Sequence, residues 1–188
     1  MKKLLLTATL LCAFVIVGSA NAQEGNVRHR SVLEVGVGYT NPNGQTGGAL
    51  HVQYGYGLCK GVDLVAAVEM ANGYAPSAGG LTDESSVNSL MVGGRYRFAP
   101  CSPKWCAGIS LMGGLALNWQ YQADVAAAPN GYCGAVWMLD YLVGTQVDLM
   151  YRITENTSLG LYGNYRYNIP DEEHHWFGAG VKMAVTLK

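Results

Sequence analysis

From Ser31 onward the chain alternates apolar and polar residues in eight stretches separated by turn-forming residues. In the stretch from Ser158, the residues Leu159, Leu161, Gly163, Tyr165, Tyr167 and Ile169 form one set. Ser158, Gly160, Tyr162, Asn164, Arg166 and Asn168 form the other. The last stretch sets Phe177, Ala179, Val181, Met183, Val185 and Leu187 against Gly178, Gly180, Lys182, Ala184 and Thr186. Successive side chains of a strand point to opposite faces, so a period of two gives each strand one greasy and one polar face. The pattern predicts strands near 31–41, 47–58, 61–72, 86–99, 106–122, 135–152, 157–169 and 175–187. Every Lys, Arg, Asp and Glu inside these stretches falls on the polar set.

The connections alternate too. Those after the second, fourth and sixth strands are short, and those after the first, third, fifth and seventh are mostly longer and polar. Residues 72–85 and 123–134 show the longer kind best. Aromatics gather at strand ends: Tyr39, Trp119, Tyr121, Tyr141, Tyr165, Tyr167 and Phe177 at one, Tyr54, Tyr56, Tyr96, Phe98 and Tyr151 at the other. Such girdles mark the two membrane–water boundaries of a spanning barrel. An unpaired strand edge is very costly in lipid, so the sheet must close. The fold class this predicts is all-β, an eight-stranded antiparallel transmembrane β-barrel. The long loops then face outside and both termini face the periplasm. The alternative is a soluble lipocalin-like carrier, with its apolar face turned inward around a greasy ligand.

The start of the chain agrees with export. Lys2 and Lys3 precede an apolar run from Leu4 to Val17, and Ala20-Asn21-Ala22 forms a small-x-small cleavage site. The expected organisation is a signal peptide over 1–22, cleaved after Ala22, and a barrel domain over 23–188. Leu11 precedes Cys12, where lipoprotein processing needs a small residue, so no lipid anchor is expected. Charged residues make up 13% of the chain, about half the usual share of roughly 25%. Without the signal, acids outnumber bases, which argues against a nucleic-acid partner.

With lipid outside, the polar faces point into the lumen. They hold Glu34, Asp63, Glu69, Asp140 and Asp148 together with Arg95, Arg97, Arg166 and Lys182, and also His51, Gln53, Asn118, Gln120, Gln146 and Asn164. Eight strands leave an interior just wide enough for side chains. Charges there must pair, because an isolated buried charge is very costly. The expectation is a network of the four bases with the five acids, with lumen glycines such as Gly55 and Gly144 making room. Its structural reading is a plug, and its functional reading is a gated ion path.

Cys101 and Cys106 flank a short turn and are expected to form a disulfide in the oxidising envelope. Cys59 and Cys133 fall at opposite ends of a membrane about 30 Å thick, beyond disulfide reach, so they are expected to be free or paired between molecules. The Asp171-Glu172-Glu173-His174-His175 run reads as a solvated loop tip rather than a metal site, and no metal or other cofactor is expected. His51 is a candidate catalytic base, with Ser85 and Ser86 beside Asp83 and Glu84 as candidate partners, but no local motif joins them. Asn156-Thr157-Ser158 matches a glycosylation acceptor within an inward-facing periplasmic turn and reads as chance.

The hairpin Tyr-Arg-Ile-Thr-Glu-Asn-Thr-Ser-Leu-Gly-Leu-Tyr-Gly-Asn-Tyr-Arg-Tyr (151–167) and the closing Gly-Ala-Gly-Val-Lys-Met-Ala-Val-Thr-Leu (178–187) resemble the small, porin-like outer-membrane β-barrels. That group includes the membrane domain of outer-membrane protein A. The resemblance spans Ser31 to Leu187. It implies insertion into the outer-membrane lipid and a non-enzymatic role in envelope integrity, adhesion or binding of an extracellular ligand at the long loops. The alternatives it leaves are a narrow channel for ions or small solutes and an enzyme that modifies lipid A.

Overall fold

The computed structural model describes residues 30–59, 61–76, 82–98, 104–122, 134–169 and 175–187. Eight strands run in chain order: β1 (Ser31–Thr40), β2 (Thr46–Cys59), β3 (Val62–Pro76), β4 (Thr82–Phe98), β5 (Trp105–Gln122), β6 (Gly134–Arg152), β7 (Thr157–Asn168) and β8 (His175–Leu187). Each pairs antiparallel with its sequence neighbours, and β1 pairs with β8, from Ser31 opposite Leu187 to Thr40 opposite Gly178. The sheet is a closed barrel.

The side-chain alternation decides which face points where. Leu33, Val35, Val37 and Tyr39 of β1 are exposed on the outside, while Val32 and Glu34 are buried inside. The same phase holds round the barrel: Leu64, Val68 and Met70, then Leu90 and Val92, then Leu111 and Leu115, then Val143 and Val147, then Leu161, then Val181 and Met183 all face outward. A soluble monomer rarely exposes more than a few hundred Å² of contiguous apolar surface. Here the apolar surface is a continuous belt, so hydrocarbon and not water is its solvent. A soluble carrier needs the opposite facing, apolar in and polar out, so the lipocalin-like alternative fails on this geometry.

Aromatic pairs flank the belt. Trp105 and Tyr151 meet edge-on at 5.0 Å between ring centroids, and Tyr96 stacks on Phe98 at 6.2 Å, at the end carrying the short connections. Tyr39 with Phe177 and Trp119 with Trp137 do the same at the other end. We call these the turn end and the loop end.

Two strands are longer than their periodicity predicts. Residues 72–76 and 82–85, expected within a loop, continue the β3–β4 ladder from Asn72 opposite Ser86 to Pro76 opposite Thr82. Gly and polar residues weaken the alternation there, but pairing satisfies their backbone groups. Among the described residues the loop end is therefore built of the extended β3–β4 ladder and a short 3-10 turn at Pro42–Gly44. At the turn end, Gly61 has φ 76°, a conformation that glycine adopts freely and that lets β2 reverse into β3.

Leu111 is 55% exposed and lies midway between the β5 aromatics Trp105 and Trp119. Leu111→Arg is expected to lower the unfolding free energy in lipid vesicles by ~2–4 kcal/mol, measured by urea titration, because arginine then sits at the bilayer midplane.

Candidate functional site in the lumen

All nine charged residues assigned to the lumen project inward, and eight are almost fully buried: Glu34, Asp63, Glu69, Arg95, Asp140, Asp148, Arg166 and Lys182. Arg97 is half-buried near the turn end. The ion pairs begin there. Arg97 Nε and Arg95 Nε donate to the same Asp63 Oδ2, at 2.5 and 2.9 Å. Arg95 also pairs through Nη1 with Glu34 Oε1. Lys182 Nζ bridges Glu34 Oε2 at 2.5 Å and Asp148 Oδ1 at 2.6 Å.

Amides carry the network onward. Gln146 Nε2 donates to Asp148 Oδ1 and to Gln53 Oε1, both at 3.0 Å, and His51 Nε2 lies 3.0 Å from that same Gln53 oxygen. Arg166 Nη2 then pairs with Glu69 Oε2 at 3.1 Å. Glu69 also accepts from Asn164 Nδ2 at 2.8 Å and Trp176 Nε1 at 3.4 Å, and its Oε2 lies 3.6 Å from His51 Nδ1.

Asp140 departs from the expected pairing. Among the described residues no base reaches it. Its Oδ2 accepts instead from Asn118 Nδ2 and, at 3.0 Å, from Asn168 Nδ2. Both amides flank it on the neighbouring strands β5 and β7, whereas Arg166, two residues from Asn168, is already drawn to Glu69. Two amide hydrogen bonds satisfy part of this carboxylate, which lowers the need for a cation.

Polar alternation does not reveal the other half of the interior. Val65, Ala67, Ala71, Val87, Met91, Met112, Ala116, Leu142 and Trp176 form an apolar cluster inside the barrel, mainly on β3 to β6. Their signal in the sequence was phase alone: each sits on the same parity as the inward polar residues of its strand, charged ones on β3, β4, β6 and β8 and Ser110 and Asn118 on β5. Tyr162 is likewise inward and stacks on His51, with centroids 5.6 Å apart. Glycine makes room where predicted. A Cβ on Gly55 would lie 2.6 Å from Arg95 Nη2, and one on Gly144 2.6 Å from Arg166 Cδ.

The candidate catalytic groups do not come together among the described residues. His51 is fully buried and bonded to Gln53; Ser85 is buried with an unpartnered Oγ, while Ser86 lies on the opposite face of β4. No described His, Cys, Asp and Glu residues cluster as three or more potential metal ligands. Cys59 is exposed at the end of β2 and Cys106 half-buried at the start of β5. Cys101 and Cys133, the residues 171–174, and the signal peptide lie outside the described residues.

No protein-family profile matches the sequence, and no curated protein matches it. Solved structures do. Neisserial surface protein A superposes with a TM-score of 0.65 at 11% identity, over 84% of this chain and 97% of that one. Ail, the attachment invasion locus protein of Yersinia pestis, crystallised with the heparin analogue sucrose octasulfate, superposes with a TM-score of 0.57 at 7% identity, over 85% and 99%. The fold is that of the small outer-membrane β-barrels. At these identities the likeness concerns the backbone, and the lumen chemistry above belongs to this chain.

Removing one partner of the central pair strands a buried charge. Glu69→Gln is expected to lower unfolding free energy by ~3–5 kcal/mol, read by urea unfolding in lipid vesicles. The double variant Glu69→Gln, Arg166→Met is expected to recover part of that loss, since both charges are then gone.

Proposed function

We propose that this protein is a non-enzymatic outer-membrane surface barrel whose lumen is structural filling and whose loop end meets a ligand outside the cell. The observation that carries this reading is the lumen itself. Ion pairs and amides link Arg97 near one end to Glu69 and Arg166, the apolar cluster packs beside them, and Asp140 is held by its two amides nearer the other end. In an eight-stranded barrel such filling leaves no room for a water column. What varies in such a barrel without disturbing its lipid contacts is the loop end.

The charge at that end narrows the ligand. The segments that reach it carry Asp83, Glu84, Asp124, Asp171, Glu172 and Glu173, and no Lys or Arg from Thr40 to Gly48, from Gly73 to Asn88, from Leu117 to Leu139 or from Tyr167 to Gly180. A surface of that sign repels polyanions and draws cationic partners. A sulfated sugar such as the one bound by Ail therefore does not suit this chain, although the folds agree.

The test uses the refolded chain in zwitterionic vesicles with two fluorescent probes, polylysine and heparin. Polylysine is expected to bind in a salt-dependent way, and heparin not to bind. Neutralising Asp171, Glu172 and Glu173 to their amides is expected to weaken polylysine binding severalfold with the barrel still folded. Heparin binding, or polylysine binding indifferent to these three residues, contradicts the reading.

A further inference from the structure

At the turn end the lumen holds a cavity of about 90 Å³. Five cations line it: Arg30, Arg95, Arg97, Lys104 and Arg152. Of the carboxylates on its wall, Glu34 is held between Arg95 and Lys182, and Asp148 is engaged by Lys182 and Gln146. The third, Glu155, meets Arg30 through its backbone carbonyl at 3.1 Å. Asp63 serves Arg95 and Arg97 with a single oxygen. Positive charge is therefore in excess around this space.

Two of the guanidinium groups also have donors to spare. Arg95 is 3% exposed, yet its Nη2 is buried without a hydrogen-bond partner, and so is Nη2 of Arg97. Both nitrogens lie beside Gly55, at 2.6 and 3.7 Å from the place its Cβ would take, so the two orphan donors are neighbours. Buried donors on adjacent like charges are costly until an acceptor, best an anion, joins them. Arg30, just before β1, responds to the same crowding: partial burial, then the charges of Arg152 and Arg97, push its pKa down.

We propose that this turn-end cavity is an oxyanion site for a phosphate group, gripped by Arg95 and Arg97 from within and by Arg30 and Arg152 at the rim. Guanidinium forks match the geometry of a tetrahedral oxyanion and stay charged at every physiological pH. The phosphate has two possible sources, a phospholipid headgroup of the adjoining leaflet or free phosphate in the aqueous compartment at that end. The site lies at the opposite end from the proposed ligand surface and stands without it.

The test is a titration of inorganic phosphate into the full refolded chain, followed by calorimetry, in phosphate-free maltoside, in glycolipid nanodiscs and in phosphatidylglycerol nanodiscs. Saturable binding of one phosphate is expected in maltoside and glycolipid. Binding that persists in phosphatidylglycerol assigns the site to free phosphate, and binding lost only there assigns it to the lipid headgroup. Arg97→Gln is expected to weaken binding about tenfold or more, as loss of a charge-assisted hydrogen bond does. Should that variant fail to fold, the rim pair Arg30→Gln, Arg152→Gln lies clear of the lumen network and is expected to weaken binding severalfold. No saturable binding in maltoside, or binding unchanged in the folded rim variant, overturns the proposal.

Discussion

Hydrocarbon offers no partner to a peptide N–H or C=O, and that constraint governs the whole molecule. It forces β8 onto β1 along the full length of β1, because any unpaired edge would leave a row of backbone groups desolvated. Closure in turn divides every strand into a lipid face and a lumen face with no third option. Nothing charged can sit on the first face cheaply, so all the polar chemistry of the spanning region collects on the second. The ion pairs of the interior are thus a consequence of the solvent outside.

Charges gathered in a narrow lumen are themselves a cost, and the chain meets it in three ways. Bases bridge acids, as Lys182 does between Glu34 and Asp148. Neutral amides extend the bonding where charges would crowd, as Gln146, Gln53 and the Asn118–Asp140–Asn168 group do. The remaining volume on the β3 to β6 side is filled with Met, Leu, Val and Trp, which need no partner at all. A buried pair of charges adds little net stability over an apolar pair of the same size. Its effect is on register: slipping one strand by a single residue would turn these side chains toward lipid.

Much of this was legible from alternation alone. Facing, strand number and closure follow from a period of two and the rule that charges avoid lipid, and each of the lumen charges sits where that rule puts it. The apolar filling was harder to read, because Val65, Met91, Leu142 and Trp176 share their phase with the charges but not their polarity, and hydropathy by itself assigns them outward. The β3–β4 hairpin was under-read for the opposite reason: Asn72, Gly73 and Ser85 look like loop residues, yet their backbones complete a ladder. Pair identities needed three dimensions. Composition called for Asp140 to find a base, and only the geometry shows Arg166 committed to Glu69 and two asparagines in its place.

The two ends of the barrel differ in sign. Arginines crowd the turn end, while the loop-end segments carry acids and no Lys or Arg. Between them stands the interior, and the proposed function requires it to be a plug and not a path. Conductance of the purified protein across a planar lipid bilayer tests this most directly. A filled lumen predicts traces indistinguishable from bare bilayer at moderate voltage. Stable, reproducible open steps from the wild-type chain would contradict it and make the ion-pair network a gate.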